Sequence, residues 1–394
     1  MKARIQAQMQ AISANASPRE HFWDALRAFL MLLGIPYHVM LSYRPGQDFI
    51  VHSGEGVRGF SEMADVIHLF RMPAFFVVAG YFALLLLARR EPGVWLKGRF
   101  LRLGVPFLSA LFILVPAMNL ACELSNYPWP QAVASWRDNS LTSGGYWVRH
   151  LWFIIVLLYF CAAAAVIAAR SARVRNGMVP ERMDAFAARH FVVTLLLVGL
   201  AIAAWEALAL EAFYVAGLAT MLPQQILRLD EAIIYAPWFV LGCMMVRARL
   251  TLKRVGRFSP PIAVLAVGAT ALWLLVHADV APMTERFIGS FAALATTQVL
   301  VAAARTLLDK PMPAIRKLTD ASFVIYLFHL PLIALFVWLA QPLAVPPLVK
   351  ALAIMGLSFV LSYAAWVAIG RLRTMSLLFE GIAPPAPRRT ALPA

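Results

Sequence analysis

Ten stretches of about 20 predominantly apolar residues recur along the chain, each long enough to cross a bilayer as a helix. They fall at 22–43, 66–88, 100–122, 148–169, 190–211, 231–247, 259–277, 287–308, 321–340 and 347–370. In lipid the backbone finds no water, so such segments must close their hydrogen bonds internally as helices. The expected fold class is all-α: a polytopic integral membrane helical bundle of about ten transmembrane helices. Composition agrees, with 61% apolar residues, 14% charged residues and a mean hydropathy of +0.73. Soluble domains carry nearer a quarter charged residues, and disordered chains are poor in apolar ones. The three cysteines, Cys122, Cys161 and Cys243, are too few and too scattered for a disulfide framework or a CxxC pair.

A net charge of +15 would suggest nucleic acid for a soluble chain. Here the basic residues lie between apolar segments, so the expected partner is the lipid bilayer, with no nucleic acid. With the N-terminus placed in the cytoplasm, 26 of the 35 Lys and Arg fall on the cytoplasmic side and seven on the other. Only Arg27 and Arg71 remain within spans. The positive-inside bias thus predicts both termini cytoplasmic. The expected organisation is an N-terminal tail at 1–21, one transmembrane domain at 22–370 and a C-terminal tail at 371–394. The polar start and the charges in the first span argue against a cleaved leader. The short apolar run 212–222 reads as either re-entrant or a folded loop. The two halves show no internal similarity, which weakens a transporter reading.

Ionisable groups inside spans are expensive and mark function by default. In the first span Asp24 and Arg27 sit one turn apart, either as a local ion pair or as part of a site. His38 follows Arg27 by eleven residues, a rise of ~16 Å that keeps it near the same face. Pro36 beside it predicts a local break and a cavity. In the second span Asp65, His68 and Arg71 are spaced three apart and can share a face. They form either a register-fixing chain or a polar wall opposite His38. Arg99 and Arg102 open the third span, as topology signals or as a phosphate clamp. Arg149, His150 and Trp152 open the fourth, and Trp152 fits an aromatic belt or a sugar platform. Ser322, Tyr326 and His329 occupy adjoining turns of the ninth, as a packing seam or as site residues. The histidines are scattered and no metal is implied.

These segments resemble the acyltransferase-3 family of membrane acyltransferases. The family's arginine–ten residues–histidine motif falls on Arg27 and His38, and its Arg-x-x-Arg motif on Arg99 and Arg102. The runs RMPAFFVVAGYF and ASFVIYLFH are similarly family-like. REHFWDALRAFLMLLGIPYH, IHLFRM, HLWF and IYLFHLPL are similar to a branch that transfers succinyl groups to osmoregulated periplasmic glucans of Gram-negative bacteria. The loop 123–147 and the region 205–232 match nothing in that pattern.

The resemblance implies a multi-pass protein of the bacterial inner membrane. It would be an O-acyltransferase that takes succinyl from cytoplasmic acyl-coenzyme A and delivers it to hydroxyls of a periplasmic glucan. Acyl-coenzyme A, with succinyl-coenzyme A favoured, would be a co-substrate, and no cofactor would be permanently bound. His38 would act as general base, directly or through an acyl-histidine, with His68 as a second catalytic residue. Arg27, Arg99 and Arg102 would hold the donor. Asp24, Asp65, Arg71, His150, Trp152, Tyr326 and His329 would support the site or bind the acyl group or acceptor. Two alternatives stay open: the same fold acetylating another extracytoplasmic glycan, and a proton-coupled transporter of a glycan or lipid-linked sugar. The oligomeric state is not legible in the residues.

Overall fold

The computed structural model describes residues 20–46 and 49–382. The expected N-terminal tail, with Lys2, Arg4 and Arg19, lies almost wholly outside them, as do Arg388 and Arg389. Among the described residues there are helices, turns and loops and no strand. Nine helical passes among the described residues are long and apolar enough to cross a membrane. They are His21–Ser42, Phe60–Leu87, Pro92–Asn126, Gly144–Arg170, Phe191–Val215, Pro223–Arg247, Pro282–Leu308, Pro313–Ala340 and Pro347–Ile369. One more, the seventh in chain order, is Arg249–Val255 with Pro260–Val276, bent by 66° at the break, so that Pro282–Leu308, Pro313–Ala340 and Pro347–Ile369 are the eighth, ninth and tenth. Each falls on an expected stretch. The largest extension is the third, where a rod from Pro92 to Asn126 replaces the expected 100–122.

Prolines shape the passes that matter most. In the first pass His21–Leu32 and Gly34–Ser42 are separate helices that meet at Leu33, three residues before Pro36. Pro36 has no N–H for the carbonyl one turn back, so the ladder yields there. In the third pass five-residue π turns at Phe100–Gly104 and Ala110–Leu114 precede Pro106 and Pro116 by two residues each. A wider turn relieves the clash of a proline ring with the preceding turn.

Packing is closest where side chains vanish. A Cβ on Gly80 would strike the Phe239 carbonyl, and one on Gly242 would strike that of Val77. The second and sixth passes therefore meet backbone to backbone, as small residues allow in membranes. The first pass is enclosed by the second, eighth and ninth, with Trp23, Phe22 and Leu26 almost wholly buried.

The connections at the Arg27 end are braced by short helices. Asp184 accepts from the amides of Leu250 and Thr251 and from the Thr251 hydroxyl. Burial alone would raise its carboxyl, but these donors hold it below its ordinary value. The stretch expected as a C-terminal tail begins as a helix, Arg373–Glu380, lying against Val105–Ser109. Its Glu380 accepts from Trp366 Nε1 at 3.1 Å.

At the opposite end, Leu222–Leu227 packs on the short helix Gly144–Val148. A Cβ on Gly144 would lie 2.8 Å from Ile226. The apolar run 212–222 comprises the end of the helix Phe191–Val215, a left-handed Gly217 at φ +69° and a short helical turn at Leu218–Thr220. The two regions without a counterpart in the family pattern meet each other here.

Candidate active site

Two cavities adjoin within the bundle. The one toward the His52 end, of about 320 Å³, is lined by His38, His68, Arg71, His150, Trp152, Tyr326 and His329. Seven residues singled out from four separate passes of the sequence are therefore brought to one space. The other, of about 370 Å³, is lined by Arg27, Arg99 and Arg102, with Trp95, Phe82 and the docked C-terminal residues Glu380 and Ile382. Met31, Phe75 and Phe153 line both. Phe75 and Phe153 meet edge to face, with centroids 4.7 Å apart, and form the partition.

In the first cavity the break at Leu33 turns His38 inward. The His38 ring lies 5.2 Å from that of His329 and 5.7 Å from Phe49, and its Nδ1 is enclosed without a hydrogen-bond partner. His329 Nδ1 is 2.7 Å from the Tyr326 carbonyl. A carbonyl only accepts, so the proton sits on Nδ1 and the Nε2 lone pair is free. The Tyr326 hydroxyl donates in turn to the His150 carbonyl at 2.6 Å, tying the ninth pass to the start of the fourth. His68 Nδ1 pairs with the Tyr37 hydroxyl at 3.1 Å, and the Arg71 guanidinium covers the Tyr37 ring at 4.7 Å.

Gly34 makes room for this cluster. A Cβ there would lie 2.9 Å from Arg71 Nη1 and 3.1 Å from His329 Nε2. Both side chains therefore reach one notch in the first pass, one turn before His38. Neither Gly34 nor Tyr37 is legible as a site residue in the sequence. Glycine and tyrosine are ordinary in an apolar helix, and only the neighbours from other passes give them a role.

Residues of the two unmatched regions reach this cavity beside Arg149. Gly145, Arg149, Arg228 and Glu231 line it. Arg149 and Arg228 are the non-glycine residues with positive φ among the described residues, at 44° and 50°. Such backbone costs energy and collects where a site demands it. Arg149 is fixed by Asn119 Oδ1 at 2.8 Å and lies over the Tyr146 ring at 4.5 Å.

In the second cavity Arg99 lies over Trp95 at 5.3 Å and Arg27 over Phe82 at 5.6 Å. Stacking on aromatic faces helps to hold each guanidinium in place. The π turn that begins at Phe100 carries Arg102. Gly381, at φ +61°, fits directly against Leu101 and Arg102, where any Cβ would collide.

Two of the expected residues are not brought to either cavity. Asp24 lies 3.7 Å from Arg27. Asp65 pairs with Arg44 and lies 3.9 Å from His277, because the loop after the first pass swings Arg44 over it. No hydrogen-bonded Asp65–His68–Arg71 chain forms among the described residues; His68 takes Tyr37 instead. Nor do three His, Cys, Asp or Glu side chains converge to hold a metal ion among them.

The model of a family described as an acyltransferase domain matches residues 20–367. Among curated proteins, the glucans biosynthesis protein C of Salmonella schwarzengrund is 29% identical over 396 residues, covering 95% of this chain and 97% of that protein. The glucans biosynthesis protein C of Salmonella typhimurium is 29% identical over 402 residues, covering 96% and 99%. No solved structure matches.

Proposed function

The chain belongs to the acyltransferase-3 family, and from that premise we propose that it carries an acyl group through the bundle, from acyl-coenzyme A in the arginine-lined cavity to a sugar hydroxyl in the histidine-lined one. It is a multi-pass membrane acyltransferase, similar over nearly its whole length to proteins of glucan biosynthesis. The proposal adds that the donor is succinyl-coenzyme A, the acceptor a periplasmic glucan, and the Arg27 end cytoplasmic in the inner membrane. The observation that carries it is the shared wall of Met31, Phe75 and Phe153 between a cavity lined by Arg27, Arg99 and Arg102 and one lined by four histidines. Arg27, Arg99 and Arg102 suit phosphates, through charge-assisted paired hydrogen bonds. A pantetheine arm passing the partition would bring its thioester to the histidines.

Transfer then needs a base on the acceptor side. His38 takes the proton of the acceptor hydroxyl as its oxygen attacks the thioester carbonyl. The carbon–sulfur bond breaks, and the imidazolium returns that proton to the departing thiolate. The product is an ester and free coenzyme A. Bringing both reactants to one cavity supplies the orientation that a bimolecular reaction lacks.

The test is mass spectrometry of periplasmic glucans from cells with and without the protein. Succinylation adds about 100 Da and acetylation about 42 Da. An increment of about 100 Da that depends on the protein is expected. Identical glucan masses in the two strains would remove the glucan acceptor, and an increment of about 42 Da would replace the donor.

A further inference from the structure

Cations buried toward the His52 end of the bundle come with their acids. Arg44 pairs with Asp65, Arg228 with Glu231 at 2.5 Å, Arg286 with Glu211 at 3.1 Å and Lys350 with Glu55 at 3.0 Å. Arg149 instead takes a neutral partner, Asn119 Oδ1 at 2.8 Å, and Arg71 goes further. Among the described residues it makes no ion pair; it covers the Tyr37 ring, and its Nε is enclosed with no hydrogen-bond partner. The cavity it lines carries Arg71, Arg149 and Arg228 against the single acid Glu231, which Arg228 already occupies. An uncompensated guanidinium at membrane depth is costly, and a purely structural arginine would be paired or would reach for the headgroups. Its Nη1 instead points to the Gly34 notch that His329 Nε2 also reaches, beside the His38 ring.

We propose that Arg71 receives the free carboxylate of a dicarboxylic acyl group, and so makes this cavity select a succinyl-type donor over an acetyl one. The inference rests on the acyl-coenzyme A reading above and adds the residue that chooses the acyl chain. A guanidinium presents two parallel N–H donors that match a carboxylate. A succinyl chain spans about 4–5 Å from thioester carbon to carboxylate carbon. With its carboxylate held at Arg71, the reacting carbonyl stays among the histidines. An acetyl group has nothing to offer the fork and leaves it unpaired. A site that loses such a partner discriminates by more than a pocket that merely fits.

The experiment uses the full-length protein in lipid nanodiscs. Release of coenzyme A from succinyl-coenzyme A and from acetyl-coenzyme A is followed with a gluco-oligosaccharide acceptor, for wild type, Arg71→Gln and Arg71→Lys. In Arg71→Gln, kcat/KM for the succinyl donor should fall about tenfold or more relative to the acetyl donor, as loss of a charged hydrogen bond implies. Arg71→Lys should fall between, keeping charge without the fork. An equal loss with both donors would overturn the proposal, assigning Arg71 to the developing oxyanion while leaving the acyltransferase reading intact. No release from either donor by wild type would sink both. A second measurement needs neither variant nor turnover. Free succinate should raise the wild-type thermal midpoint where acetate at equal concentration does not, and equal effects of the two would also overturn the assignment.

Discussion

The Nδ1–H of His329 donates to the Tyr326 carbonyl at 2.7 Å, one residue pinning the tautomer of another within the same helical turn. The bare Nε2 that results reaches the Gly34 notch, and the His38 ring lies 5.2 Å from that of His329. The first pass thus supplies an imidazole with an enclosed, unpartnered Nδ1, and the ninth an imidazole of fixed tautomer. Their chemistry separates in the variants below.

His38→Ala should lower acyl transfer by about 10²–10⁴-fold at equal membrane abundance, the usual scale for a lost general base. Turnover within about tenfold of wild type would take the base role from His38 and pass it to His329.

Gly34→Ala should damage activity without damaging the fold. The added methyl would lie 2.9 Å from Arg71 Nη1 and 3.1 Å from His329 Nε2, both ends of side chains that can move. Alanine is also the better helix former by about 1 kcal/mol. Turnover is expected to drop about tenfold or more through misplaced groups, with an unchanged or raised thermal midpoint. Unchanged turnover would show that the notch does not position the cluster.

Arg99→Lys and Arg102→Lys distinguish a phosphate clamp from a topology signal. Lysine preserves the positive-inside charge but loses the planar fork and, at Arg99, its stack on Trp95. Donor affinity should weaken about tenfold for either variant, as loss of a charged hydrogen bond implies. Wild-type donor KM in both, and in the double alanine variant, would remove the clamp.

Gly242→Leu should prevent assembly of the bundle. Even a Cβ at Gly242 meets the Val77 carbonyl, so the second and sixth passes must separate and take His68 and Arg71 with them. Gel filtration after solubilisation should show loss of the monodisperse species. A monodisperse, wild-type-like profile would contradict the close approach of these helices.

Orientation is checked by fusions. A reporter active only outside the cytoplasm should be active when inserted at Gly54 and silent when fused after Ala394. That outcome is what the 26-to-7 bias of Lys and Arg predicts; the reverse would invert the donor and acceptor sides.

The sequence by itself determined the membrane fold and its passes, because lipid permits only internally bonded helices and the apolar lengths mark where they run. It also marked the chemistry: His38, His68, Arg71, His150, Tyr326 and His329 stood out because polar side chains at membrane depth need a reason. Tertiary structure alone decided which of them meet. Asp65 shares a helical face with His68 by spacing, yet its carboxylate goes to Arg44 from the loop after the first pass. Gly34 and Tyr37 look like filler until Arg71 and His329 arrive from the second and ninth passes. The partition of Met31, Phe75 and Phe153, and the meeting of Gly144 with Ile226, join residues far apart in sequence. Helical periodicity orders side chains within one helix; the distances between helices are set by packing, which no single segment encodes.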